Sequence, residues 1–165
     1  FFLNETSDKS TPDIESQDSN RFLDGFDLLG TTERQATFLW QVSAPAFSNN
    51  TFLEEGKQNY LRFLEVRKDI VINKSNVIIV PTYQIDLMWH THMLSSLKDY
   101  SNDCMKLTFS LLPHDDSMND RSEGGILETS FKSTCDAWRE RYNEEYQCEG
   151  GMYRGEPPKE YFNMG

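Results

Sequence analysis

Apolar positions recur at helical spacing through most of the middle of the chain. In "TTERQATFLWQVS" (31–43), Ala36, Phe38, Leu39 and Trp40 make a wide apolar face, with Thr32 and Gln35 spaced as a capping box. "SAPAFSNN" with Pro45 breaks this helix. The next, over 50–69, has Asn50 as its expected cap, Glu54 and Glu55 in the opening turn, and Arg67 and Lys68 at the close. Phe52, Leu53, Tyr60, Phe63 and Leu64 fall on one side of it. The runs Ile70–Ile72 and Val77–Val80 flank "NKSN" and are the only β-like stretch. They read either as a short hairpin or as an extended crossing of the core that ends at Pro81.

Pro81-Thr82 starts a further helix, "YQIDLMWHTHML", apolar nearly all round and so expected near the centre of the fold. Ile85, Met88, Trp89 and His92 share one face, while Asp86, His90 and Met93 share the adjacent one. Ser96 and Asp99 pair as a cap for a helix over 95–113, with a stripe of Leu97, Tyr100, Cys104, Leu107 and Leu111 closed by Pro113. After a polar loop (114–128), Phe131, Cys135, Trp138, Tyr142 and Tyr146 mark a helix over 129–146. The predicted fold is mainly α: one compact helical bundle of four or five helices, with at most one short β-hairpin. Residues 1–20 are rich in Ser, Thr, Asp and Asn and read as a disordered or loosely docked tail. The helical domain is expected over 21–150, and 151–165 as an irregular C-terminal segment.

Charge narrows the partners. With 16 basic and 27 acidic residues the net charge is −11, which argues against a nucleic-acid backbone or an anionic membrane as ligand and leaves an unidentified protein partner. No apolar run approaches the roughly 18–20 residues of a membrane span. Three cysteines suit a reducing, intracellular compartment, although Asn4, Asn49 and Asn73 begin glycosylation sequons that point towards secretion.

The candidate chemistry centres on His90 and His92. Imidazole is a common ligand for zinc. Residues two apart point the same way on a strand but about 200° apart on a helix, so one ion takes both only where the backbone departs from helix. The alternative is a pair built into the core, with His92 beside Trp89 and His90 held by Asp86 one turn earlier. Cys104 reads as a buried thiol or as a thiolate folded back onto the histidine helix. "PHDD" offers His114, Asp115 and Asp116 as ligands, as a proton relay or as an ordinary turn. Cys148 completes a site only if the tail folds back. No G-x-S-x-G, Walker, G-x-G-x-x-G or C-x-x-C motif is present.

Taken together, "VPTYQIDLMWHTHML", "YSNDC", "PHDDS" and "AWRERYNEEYQCEG" resemble the DUF1399 family, the glycine-rich domain-containing proteins of plants and their relatives. The matching positions are Asp86, Trp89, His90, His92, Tyr100, Asp103, Cys104, His114, Asp115, Asp116, Trp138, Tyr146 and Cys148, within about 32–150. Gln84 stands where many relatives are acidic, and Ser96 where a proline follows the histidines. A second cysteine near Cys148 is absent, as is the long glycine-rich region of the plant proteins.

The resemblance implies that His90, His92 and Cys104 act as a unit. It implies no activity, and it points by association to stress and developmental regulation. The expected function is a non-enzymatic binding or regulatory module. Its His/Cys cluster would hold zinc through His90 and Cys104, joined by His92, Cys148 or His114, with Asp86, Trp89, Tyr100 and Asp103 in support. Two alternatives stand beside it. One is a metal-dependent hydrolase or oxidoreductase using His90, His92 and His114, with Asp86, Asp115 or Asp116 as base. The other is an interaction domain with no metal or other cofactor.

Overall fold

A computed structural model describes residues 25–113 and 122–162. Five α-helices run in order through these residues: α1 (Leu28–Val42), α2 (Asn50–Ile72), α3 (Tyr83–Ser95), α4 (Leu97–Thr108) and α5 (Ile126–Tyr142). Short 3-10 turns lie at Pro45–Ser48 and Lys159–Phe162. The mainly α expectation holds, and no strand occurs among the described residues. The expected tail (1–20) and the candidates His114, Asp115 and Asp116 lie outside the described residues.

The capping chemistry fixes the boundaries. Asp27, not Thr32, caps α1 and accepts from Gly30 N at 2.9 Å. Thr32 already sits inside the helix, its hydroxyl donating to the Leu28 carbonyl at 2.8 Å. Asn49, one residue before the expected cap, accepts from Thr51 N and Phe52 N and starts α2. Glu54 and Glu55 therefore fall beyond its first turn. Ser96 both ends α3 and caps α4, accepting from Asp99 N at 3.2 Å, as the Ser96–Asp99 spacing predicts.

The hairpin does not form. Phe63, Val66 and Ile70 continue the buried face of α2, so Ile70–Ile72 is its last turn. Lys74 (φ 50°) turns the chain out, with Ser75 N bonded back to the Ile70 carbonyl. Val77–Val80 is the extended crossing. Its polar groups are met by side chains, because Val80 N donates to Thr134 Oγ1 at 2.9 Å and Tyr146 Oη donates to the Val80 carbonyl at 2.9 Å.

α2 packs against α3, α4 and α5, and α3 sits between α1, α2 and α4, so α2 and α3 share the centre. The core gathers Phe63, Leu64 and Ile70 of α2, Ile85 and Trp89 of α3, Tyr100 and Cys104 of α4, and Trp138 of α5. On α4 the inward positions are Tyr100, Cys104 and Thr108, a strict four-residue spacing. Leu97, Leu107 and Leu111 of the expected stripe are exposed. The helix ends at Phe109 (φ 61°), before Pro113 is reached.

Candidate functional site

Thr82 caps α3 through Ile85 N, and the Gly151 carbonyl accepts the Tyr83 N–H at 2.7 Å. A Cβ at Gly151 would lie 2.4 Å from Cys148 Sγ, so only glycine permits the C-terminal chain to approach this closely. With its start pinned at Thr82, α3 stays regular through the histidines, and they diverge as helical geometry requires.

His92 points towards α2 and α4. The Tyr60 hydroxyl lies 3.0 Å from its Nδ1, and Nε2 faces Asp103 Oδ2 at 3.5 Å. Burial pushes the Tyr60 phenol well above its ordinary pKa and keeps it neutral, able to donate or accept. The Asp103 carboxylate facing Nε2 is an acceptor and favours the imidazole proton there, with Nδ1 left to accept from Tyr60. Tyr100 packs edge-on to His92 at 5.2 Å and accepts from Trp89 Nε1 at 2.8 Å. Burial pushes the Tyr100 phenol up to about 12. Cys104 is fully buried beside this group, and burial also raises its thiol. A protonated, enclosed thiol is neither a ready nucleophile nor a ready ligand.

His90 points elsewhere. Its ring lies on Phe38 of α1, centroids 4.3 Å apart, and Nε2 is 3.5 Å from Asp86 Oδ1 one turn earlier. Burial pushes the Asp86 carboxyl up to about 7. Cys148 occupies a third place near the start of α3. Its Sγ donates to Gln84 Oε1 at 3.4 Å, and burial raises this thiol too.

The structure therefore brings Trp89, His92, Tyr100, Asp103 and Cys104 together with Tyr60. It sets Asp86 and His90 apart with Phe38, and it separates Cys148 from both groups. Among the described residues no three His, Cys, Asp or Glu side chains converge to hold a metal ion. Of the expected ligands His90, His92, Cys104, Cys148 and His114, the last lies outside the described residues, and α3 sends the two imidazoles to different neighbours.

Sequence reasoning placed Tyr60 on the apolar face of its helix but gave it no polar role. It noted Gln84 only as a departure from the family pattern. Gln84 is buried, donates to the Phe52 carbonyl at 2.8 Å and accepts from Asn59 Nδ2 at 3.0 Å. The available signal was a glutamine in the first turn of a helix that is apolar nearly all round, where a buried amide needs partners on other elements.

Asp86 gives a pH signature. Its folded pKa lies above the ordinary aspartate value, so between about pH 4 and 7 the folded chain holds a proton that the unfolded chain releases. Stability from this group is present at low pH and is lost as pH rises through 7. Asp86→Asn is expected to gain on wild type as pH is raised from about 4 to 7, by at most about 1.4 kcal/mol per pH unit, and to gain no more above that. Urea melts of both proteins across that range report the carboxyl together with its effect on the facing His90. A constant difference between the two would contradict the assignment.

A family model described as glycine-rich domain-containing protein-like matches residues 1–103. Glycine-rich domain-containing protein 2 of Arabidopsis thaliana is 40% identical over 134 residues, covering 81% of this chain and 17% of that protein. Glycine-rich domain-containing protein 1 of the same plant is 37% identical over 133 residues, covering 81% of this chain and 16% of the relative. The chain thus spans about a sixth of the length of these relatives. No solved structure matches it significantly. No helix of the described residues is long and apolar enough to cross a membrane.

Proposed function

Because this chain belongs to the glycine-rich domain-containing protein family, we propose that it is a non-enzymatic binding or regulatory module in which the W-H-x-H histidines are structural cross-ties. The observation that carries this reading is the divergence of the two imidazoles. His92 joins α3 to Tyr60 of α2 and Asp103 of α4, while His90 joins it to Phe38 of α1. Each ring is used in holding helices together, and among the described residues neither belongs to a group of three side chains able to hold a metal ion.

This reading also explains the grouping of the motif. Trp89 and Tyr100 are bonded to each other, and Tyr100 packs on His92, so the spaced tryptophan, histidine and tyrosine form one packing unit. Binding would then use the outer surface, with the motif holding the helices that present it.

The test is elemental analysis of the full chain purified without added metal or a histidine tag, combined with melting in the presence and absence of a chelator. The reading predicts no near-stoichiometric metal and an unchanged melting temperature. It also predicts that His92→Ala loses about 1–3 kcal/mol, because the buried Tyr60 hydroxyl loses its acceptor. Stoichiometric zinc that disappears in both His90→Ala and Cys104→Ala would replace this reading with a metal-centred one.

A further inference from the structure

The C-terminal end of α1 is built as a clamp, and the chain's own C-terminal strap fills it. Gln41 is only 1% exposed, and both ends of its amide are used on main chain. Nε2 donates to the Gly155 carbonyl at 2.8 Å, and Oε1 accepts from Arg154 N at 2.9 Å. A buried side-chain amide that grips successive residues in this way recognises an extended peptide backbone whatever its side chains.

Side-chain selectivity comes from the neighbours. The Arg154 guanidinium lies over the Trp40 ring, its central carbon 3.5 Å from the centroid. Tyr161 meets the same indole edge-on at 5.3 Å. The guanidinium also donates to the Trp40 carbonyl and, at 2.7 Å, to Ser43 Oγ. These acceptors sit at the end of α1, where carbonyls lack helical partners and the helix dipole favours a cation. A planar, multiply donating guanidinium satisfies ring and carbonyl together, which an ammonium does not. Gly155 has φ +99°, a conformation that L side chains rarely adopt, so the next position selects glycine.

The geometry points to an arginine-glycine recognition site formed by Trp40, Gln41 and Ser43, which takes an extended Arg-Gly segment and is occupied in cis by Arg154-Gly155. Glu156, Pro158, Lys159 and Glu160 are exposed, so the strap lies at the surface, where a segment of another chain can reach it. A segment from another chain competes with a tethered copy whose effective concentration is of millimolar order. This deepens the binding-module reading by naming a ligand for it, and it does not depend on the state of the histidines.

The test uses the full chain and a synthetic peptide of residues 152–158, followed through the Trp40 indole and Gln41 side-chain amide resonances. In Arg154→Ala the cis occupant is weakened, and the peptide is expected to shift both resonances at about tenfold lower concentration than in wild type. Peptides carrying Arg154→Lys or Gly155→Ala should need at least about tenfold more. Gln41→Ala should abolish the response.

Gly155→Ala serves as a second way of loosening the strap. Wild type at high peptide concentration supplies the measurement if either variant fails to fold. No shift of these resonances at several millimolar peptide, or shifts from the Lys and Ala peptides equal to those from the unmodified peptide, would overturn the assignment. If the peptide fails while the chain still binds no metal, the ligand is wrong and the module reading stands.

Discussion

Trp138→Ala is expected to destabilise the fold by about 3–5 kcal/mol, the largest loss for any single side chain considered. Trp138 is 2% exposed and lies where α5 meets α2. Tyr142 packs edge-on at 4.8 Å, Tyr146 sits 5.0 Å away, and the Arg62 guanidinium lies 4.6 Å over its ring. Arg62 is in turn paired with Glu144 at 2.6 Å, and Arg141 reaches Glu65 at 3.0 Å and also Asp69. Those surface pairs contribute little alone; the Arg62–Glu144 pair sits over the indole and the Arg141 pairs beside the Tyr142 ring. Removing the indole leaves a cavity that helices tied on several sides cannot collapse into. Trp138→Phe should cost less than half as much. It keeps an aromatic ring, and the indole Nε1 has no hydrogen-bond partner among the described residues, so its loss removes no bond. Urea denaturation of both variants checks this, and equal losses would mean that ring packing is not what matters here.

Tyr146→Phe is expected to lose about 2–4 kcal/mol although it deletes one oxygen and opens almost no cavity. The Tyr146 hydroxyl donates to the Val80 carbonyl at 2.9 Å and accepts from Thr82 N at 3.2 Å. Burial holds this phenol neutral, so it can do both. Phenylalanine leaves the part-buried Val80 carbonyl and the buried N–H of Thr82, the residue that caps α3, without this partner. The loss should appear in equilibrium melts, together with faster amide exchange at Thr82 and Tyr83. A variant as stable as wild type would show that the extended crossing is held by other contacts.

Tyr146 also shows how far the sequence could be read. Its spacing from Trp138 fits one helical stripe, and both residues are buried, yet α5 ends at Tyr142 and the chain turns at Asn143 (φ 54°). Periodicity identified the buried residue but not the path that brings it back. Helix positions were legible because apolar residues recur at helical spacing within each helix, as Tyr60, Phe63 and Leu64 do in α2 and Ile85 and Trp89 in α3, whereas boundaries were less so. Thr32 and Asn50 both look like caps, and Asp27 and Asn49 take the role instead. Any of these side chains can accept a helix N–H, and tertiary packing selects which one does.

The Leu97–Leu107–Leu111 stripe misled for a related reason. Hydrophobicity favoured the leucines, but α4 turns Cys104 and Thr108 inward, where the Thr108 hydroxyl bonds the Cys104 and Ser110 carbonyls and so carries no unpaired polar group into the core. At the candidate site, the Asp86–His90 pairing was legible because it lies within one helix at a spacing of four. The Tyr60–His92–Asp103 chain spans three helices, and no local pattern encodes that register. The expected zinc ligands meet the same obstacle among the described residues, where no group of three converges, while His114 lies outside them. Sequence grouped the ligands along the chain, while helical geometry sent them to different sides.

The most direct test of the structural role of these histidines is imidazole nitrogen NMR on the full chain, with zinc titrated in. Separate cross-ties predict His92 as the Nε2–H tautomer, bonded at Nδ1 to Tyr60, with zinc leaving its resonances and those of His90 in place. Simultaneous movement of both rings at one equivalent of zinc, with saturation there, would mean that they share an ion and would contradict the account.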